Sequence, residues 1–367
     1  MARDATQLQL HQDVTLGDTL RKWLPDKLVP DAHSDFAIDD LDAPDAGFSG
    51  QTVFFNASWT ADDGTRESRE LVLRMQSSDH QLFTEPDALR QAEVMQALGS
   101  HPGVVTPHIV LTESDPAVLG APFYLMTRVR GRVPSDIPSW HKRGWTVELD
   151  ADDRRRMYDN ALRALVAVHA VDDEETLTVL RDPVQKSEDT ALRRYLARLH
   201  DWYEVRRPEL IVGEDVLSEA WKVLSSFSPD TDAETVVWGD ARVGNMAFAQ
   251  DLSVAALFDW ETASTGPAEI DLGWWLMFER FLCESLGFTR MEGVPDDDAI
   301  VRRYLELGGH IDTDLRYYTV LAAFVFSLIT NRLALLLVQN GLDEETARSY
   351  AESAVSLVRH YLDEFTS

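Results

Sequence analysis

The chain has 367 residues, with 34 Lys and Arg against 63 Asp and Glu, for a formal net charge of −29. That excess repels polyanions and argues against nucleic acid or an anionic membrane face as partner. The single cysteine, Cys283, excludes an intramolecular disulfide framework and a cysteine-rich zinc site.

The length exceeds what one core usually fills, so two domains are expected. The first residues, "MARDATQLQLHQDV", carry no apolar core of signal-peptide length; together with the cysteine usage this points to a cytoplasmic location. A short helix over "TLGDTLRKWLPDKL" precedes a strand-like segment from about residue 36 to 76. There "QTVFFNASWT" alternates, "ADDGT" turns, and "RELVLRMQ" resumes, with Asp-Gly as the hairpin signal. A helix is predicted over "EPDALRQAEVMQALGS", with Leu89, Val94, Met95 and Leu98 on one flank and Gly99 as its stop. Two further strands, "VVTPHIVLTES" and "APFYLMTRVRG", complete a small sheet with one helix.

From Arg132 onward the apolar spacing is helical. "DADDRRRMYDNALRALVAVHAVD" opens with an acidic turn, and "ALRRYLARLHDWYEV", "SEAWKVLSSFS" and "EETARSYAESAVSLVRHYLDEF" continue the pattern. The most apolar run, "YYTVLAAFVFSLITNRLALLLVQ", is interrupted by Asn331 and Arg332 and reads as a buried core helix, not a membrane span. The chain is thus read as an α+β protein. A β-rich lobe, residues 1–128, is joined to a mostly helical lobe, residues 129–367, and a ligand is expected in the crevice between them.

One stretch interrupts the helices. "VVWGDARVGNMAF" places Asp240 and Asn245 five residues apart between two short apolar runs, and "VAALFDWE" then ends on Asp259. Phosphoryl transfer needs a carboxylate to orient a hydroxyl and oxygen ligands for Mg2+ on the nucleotide phosphates. Kinase catalytic loops supply these as an Asp, an Asn five residues later, and a second Asp beyond the next strand. Carboxylate and amide oxygens are the hard ligands Mg2+ prefers. The Asp-x4-Asn spacing is uninformative alone, so the joint arrangement carries the reading.

Taken together, "WGDARVGN" and "DWETASTGPAEIDLGWW" resemble the catalytic core of the aminoglycoside phosphotransferase and choline kinase superfamily, with its Gly-Asp, Asn and Asp-Trp-Glu signature. The branch they look most like contains the kinase-like domains fused to acyl-CoA dehydrogenases. The resemblance implies a bilobal protein-kinase-like fold and an ATP- and Mg2+-dependent kinase for a small-molecule hydroxyl. It makes Asp240 the catalytic base, Asn245 and Asp259 the Mg2+ ligands, and Asp271 a support behind the loop. Arg242 stands where protein kinases often place a phosphate-steadying cation. In the smaller lobe, Ser49, Gly50 and Gln51 in the Gly-rich turn "GFSGQ" are implied phosphate contacts, with Arg74 for the α- and β-phosphates. Backbone groups over Met126, Arg128 and Val129 would meet adenine. His169, a lone histidine amid Leu and Val, is read as packing.

Two positions depart from that pattern. Trp238 replaces the usual histidine before Gly239, and an indole offers one donor and no acceptor. Gln91 stands where a glutamate partner for Arg74 is usual; Glu93, two residues on, does not share its helix face. The alternative is therefore a nucleotide-binding pseudokinase or scaffold. The acceptor is expected to be an aminoglycoside or a hydroxylated acyl metabolite, and the protein a monomer or homodimer. Trp140, Trp145, Trp202 and Tyr203 mark either a partly apolar pocket or core. Hydrolase signatures such as Gly-x-Ser-x-Gly and His-Glu-x-x-His are absent from the sequence.

Overall fold

The computed structural model describes residues 16–29, 35–42, 50–76, 87–181 and 189–367. The chain forms two compact units, Met1–Gln96 with Pro107–Val129 and Ala97–Thr106 with Arg130–Ser367.

In the first unit, helices α1 (16–23) and α2 (Pro25–Leu28) precede strands β1 (Ala37–Asp42), β2 (Gly50–Thr60) and β3 (Arg66–Gln76). Helix α3 (Ala88–Leu98), strand β4 (Ile109–Glu113), the single-turn helix α4 (Pro116–Leu119) and strand β5 (Phe123–Thr127) follow. The five strands make one antiparallel sheet in the order β1-β2-β3-β5-β4. Alternation along β2 puts Val53, Phe55, Ala57 and Trp59 on the core side, where they meet Leu71, Leu73, Phe123, Leu125 and Leu20. The expected Asp-Gly turn closes the β2–β3 hairpin. Gly64 adopts φ +83°, and the Asp63 carboxylate accepts the Thr65 N–H at 2.8 Å. Helix α4 escapes a periodicity reading because it is one turn long, stopped by Gly120 and capped by Asp115 accepting the Ala117 N–H.

The second unit contains helices α5 (Trp145–Glu148), α6 (Ala151–His169), α7 (Glu174–Leu180), α8 (Ala191–Arg206) and α9 (Glu214–Ser226). Short strands β6 (Thr235–Val237), β7 (Met246–Phe248), β8 (Val254–Leu257) and β9 (Ser264–Gly266) come next, then helices α10 (Glu269–Leu282), α11 (Asp297–Glu306), α12 (Leu315–Gln339) and α13 (Glu344–Thr366). The strands pair as β6 with β9 and β7 with β8. Helix α6 starts where its acidic turn predicts, with the Asp150 carboxylate accepting the Asp153 N–H at 2.8 Å.

Helix α12 is long and apolar enough by composition to cross a membrane, yet 67% of its most apolar window is buried inside the unit, against α10 and α13. It runs straight through Asn331. That side chain is buried, and its oxygen accepts the N–H groups of Ile211 and Val212 at 2.9 and 3.2 Å. Helices α10 and α12 approach closely at Gly273, where a Cβ would come within 2.5 Å of the Tyr318 backbone. Segment Ala97–Thr106 joins this unit because the Val105 carbonyl accepts the Leu257 N–H at 2.7 Å and His101 bonds Thr176.

Candidate active site

Strand β6 is wholly buried at Val236 and Val237 and is anchored by pairing Val237 with Ser264 of β9. It delivers Trp238, Gly239 and Asp240 to a sharp bend. Gly239 sits at φ +89°, and a Cβ there would overlap the Thr262 hydroxyl, so both conformation and space require glycine. The bend hangs from Asp271 in the first turn of α10. Its fully buried carboxylate accepts the Trp238 N–H at 2.7 Å and the Gly239 N–H at 2.8 Å.

His169 stands behind that carboxylate, with Nε2 3.0 Å from Asp271 and Nδ1 2.8 Å from the Tyr304 hydroxyl. Burial pushes the Tyr304 hydroxyl up. His169 is thus more than packing: it joins α6 and α11 to the loop support. Sequence alone gave no sign of this, since its partners lie 102 and 135 positions away.

Trp238 solves the departure at its position differently from a histidine. Its backbone is held by Asp271, and its one indole donor bonds the Phe258 carbonyl at 2.9 Å, with the ring tilted on Trp260 at 5.3 Å. The loop bearing Asp240 is thereby tied to the residue preceding Asp259.

A short 3-10 turn, Val243–Asn245, brings Asn245 back beneath Asp240. The Asn245 amide donates to the Asp240 carboxylate Oδ2 at 2.6 Å and to its backbone carbonyl at 3.0 Å. Asp240 Oδ1 accepts from Arg242 Nε at 2.8 Å and from the Trp274 indole at 2.7 Å. Hairpin β7–β8 then returns the chain. Phe258 N–H bonds the Asn245 carbonyl at 2.9 Å, and Asp259 follows at φ +61°, an unusual conformation for a residue with a side chain. Its Oδ1 is shielded from solvent.

Arg242 Nη1 donates to both oxygens of Asp136 at 2.6 Å, and the guanidinium lies over Phe278, 4.9 Å from the ring centre. Burial opposes its charge, but Asp240, Asp136 and, at longer range, Asp259 more than offset this and hold its pKa above the ordinary value. Asp259 therefore lies near enough to the loop for its charge to be felt there. Asp136 and Trp274 were not found from sequence. Asp136 sits in a proline-rich loop without periodic signal, and Trp274 reads as core on an apolar helix.

The donor set suits Mg2+. With Nδ2 turned to Asp240, the Asn245 amide oxygen faces away, and with Asp259 it offers hard oxygens. No group of three or more His, Cys, Asp or Glu side chains able to hold a metal occurs among the described residues. Trp140 and Tyr203 are core, and Trp145 donates to the Val133 carbonyl beneath Arg132; the aromatic side chain that touches Asp240 is instead Trp274.

In the first unit, Ser49 lies outside the described residues. Gly50 and Gln51 open β2, paired with Gln76 and Met75. Arg74 lies on β3 between Thr52 and Tyr124 in the sheet and donates to the Thr52 hydroxyl at 2.7 Å. The buried Gln91 accepts the Tyr124 hydroxyl proton at 2.7 Å, whereas Glu93 is exposed. Met126 pairs with Val72, and half-buried Val129 ends the unit. The Arg128 N–H is taken by the Glu70 carbonyl at 2.9 Å and its guanidinium covers Phe54.

The sequence model of a family described as "Phosphotransferase enzyme family" matches residues 40–316. The chain is 25% identical over 232 residues to human acyl-CoA dehydrogenase family member 11 and 27% identical over 207 residues to mouse acyl-CoA dehydrogenase family member 10. These alignments cover 60% and 56% of this chain but only 27% and 18% of the relatives. Among solved structures, a candidate aminoglycoside phosphotransferase of Ralstonia eutropha superposes with a TM-score of 0.66 at 20% identity, covering 94% of this chain and 98% of that one. Aminoglycoside phosphotransferase APH(4)-Ia, in ternary complex with AMP-PNP and hygromycin B, gives 0.58 at 16%, covering 92% and 98%. Both show the bilobal kinase-like phosphotransferase fold.

Proposed function

Since the chain belongs to this phosphotransferase enzyme family, we propose that it transfers the γ-phosphoryl group of ATP, with Mg2+, to a hydroxyl of a small molecule. The observation that carries the reading is the contact between Asn245 and Asp240, with Asp259 held in its left-handed turn beyond the next hairpin. Asp240 orients the acceptor hydroxyl and takes its proton as the oxygen attacks the γ-phosphorus and the bond to ADP breaks. Asn245 and Asp259 would hold Mg2+, which when bound neutralises charge on the phosphates. Arg74 and the Gly50–Gln51 start of β2 would secure phosphates, and the backbone over Met126, Arg128 and Val129 would meet adenine. Positioning and charge neutralisation supply most of the rate, because the transition state asks for little covalent chemistry.

The acceptor is read as an aminoglycoside or a hydroxylated acyl metabolite. A structural neighbour binding hygromycin B with AMP-PNP favours the first, and relatives among acyl-CoA dehydrogenase family members the second. A cytoplasmic monomer or homodimer without nucleic-acid or membrane partners fits the net charge of −29. The second reading is a nucleotide-binding protein without turnover. It is favoured by Gln91, which puts a neutral amide on Tyr124 where an acid would serve Arg74.

Mg-ATP protection in a thermal melt, followed by ADP release with aminoglycosides and hydroxylated acyl compounds as acceptors, separates the two. Acceptor-stimulated ADP supports the transferase. Protection without ADP supports the scaffold, and neither response refutes both.

A further inference from the structure

Arg242 is held more firmly than its bond to Asp240 requires. Nε bonds Asp240, Nη1 bonds both oxygens of Asp136, and Phe278 fixes the guanidinium plane. The guanidinium is a rigid fork of five N–H groups, so two bonded nitrogens set the direction of the third. Among the described residues, no side chain or carbonyl accepts from Nη2.

Burial raises the Asp136 pKa even beside Arg242. A partly buried ion pair is also weak evidence of a stabilising role. The space is specific as well: a Cβ on Gly244 would overlap Arg242 Nη1 and come within 2.5 Å of Asp136 Oδ1, although nothing in the backbone conformation at Gly244 demands glycine.

We propose that Asp136 is a positioning residue for phosphoryl transfer. It fixes Arg242 so that Nε holds Asp240 while Nη2 is presented to the anionic oxygens of the transferring phosphoryl group. This rests on the transferase reading above, in which the charge on those oxygens must be met by preset donors.

The test compares binding of Mg-ADP with and without fluoroaluminate, a mimic of the transferring group, in wild type, Asp136→Asn, Arg242→Met and the double variant. Wild type should bind Mg-ADP more tightly with fluoroaluminate. Asp136→Asn should lose about ten- to a hundredfold of that tightening, with affinity for Mg-ADP alone changed less than about threefold. The double variant should lose no more than Arg242→Met, because Asp136 acts through Arg242. Asp136→Glu keeps the charge but moves it by one methylene and should show an intermediate loss. It carries the test by itself should the Asn variant fail to fold.

Full tightening in Asp136→Glu or Asp136→Asn, or a loss in Asp136→Asn that adds to that of Arg242→Met, overturns the proposal while leaving the transferase intact. Absence of tightening in wild type itself overturns both.

Discussion

The loop around Asp240 and the strands around Arg74 serve one proposed reaction but are built differently. In the larger unit the loop is suspended from a buried carboxylate, a buried histidine, two tryptophan donors and a glycine without an alternative. In the smaller unit the candidate phosphate contacts rest on the register of one antiparallel sheet, and Gln91, standing where an acid partner for Arg74 is usual, bonds Tyr124. Over-determined geometry belongs where a reacting hydroxyl must be placed to a fraction of an ångström. A polyphosphate, with many oxygens, tolerates looser placement.

The sharpest way to break that contrast is at the base. Asp240→Asn should lower turnover by a factor on the order of a thousand or more while Mg-ATP affinity, from the melting shift, stays within about threefold; a variant that keeps wild-type turnover removes the role. Asp271→Asn comes next. It turns one buried acceptor into a donor facing a backbone N–H and should cost about 3 kcal/mol of stability, read by denaturant titration, with turnover falling in step. Retained stability would mean the loop is held by its own turns. Arg74→Met should weaken Mg-ATP binding about tenfold by calorimetry while turnover at saturating nucleotide changes far less. A collapse in turnover instead would make the two regions equally strict. The smallest effect is expected at Gln91→Ala, about 1 kcal/mol in a thermal or chemical melt and a few-fold at most in nucleotide affinity.

The same contrast governs what could be read from the sequence. Asp240, Asn245 and Asp259 fall within twenty residues, and one 3-10 turn brings the first two into contact, so that meeting was legible from local sequence. The β2–β3 hairpin was equally legible from its alternation and its Asp-Gly turn. Asp136 and Trp274 reach Asp240 and its arginine from 106 and 34 positions away, and only tertiary packing makes those meetings. His169 shows the limit most clearly: helical periodicity correctly buried it, but periodicity is blind to the two polar partners that burial provides.

The bond from the Trp238 indole to the Phe258 carbonyl has a practical reach. It ties the segment bearing Asp240 to the segment bearing Asp259, so the two are expected to tolerate exchange only together. Swapping in a histidine-type loop from a relative without its matching downstream turn should leave that carbonyl without its indole donor and the chimera poorly assembled, whereas exchanging residues 238 through 259 together with their outside partner Asp271 should lose less.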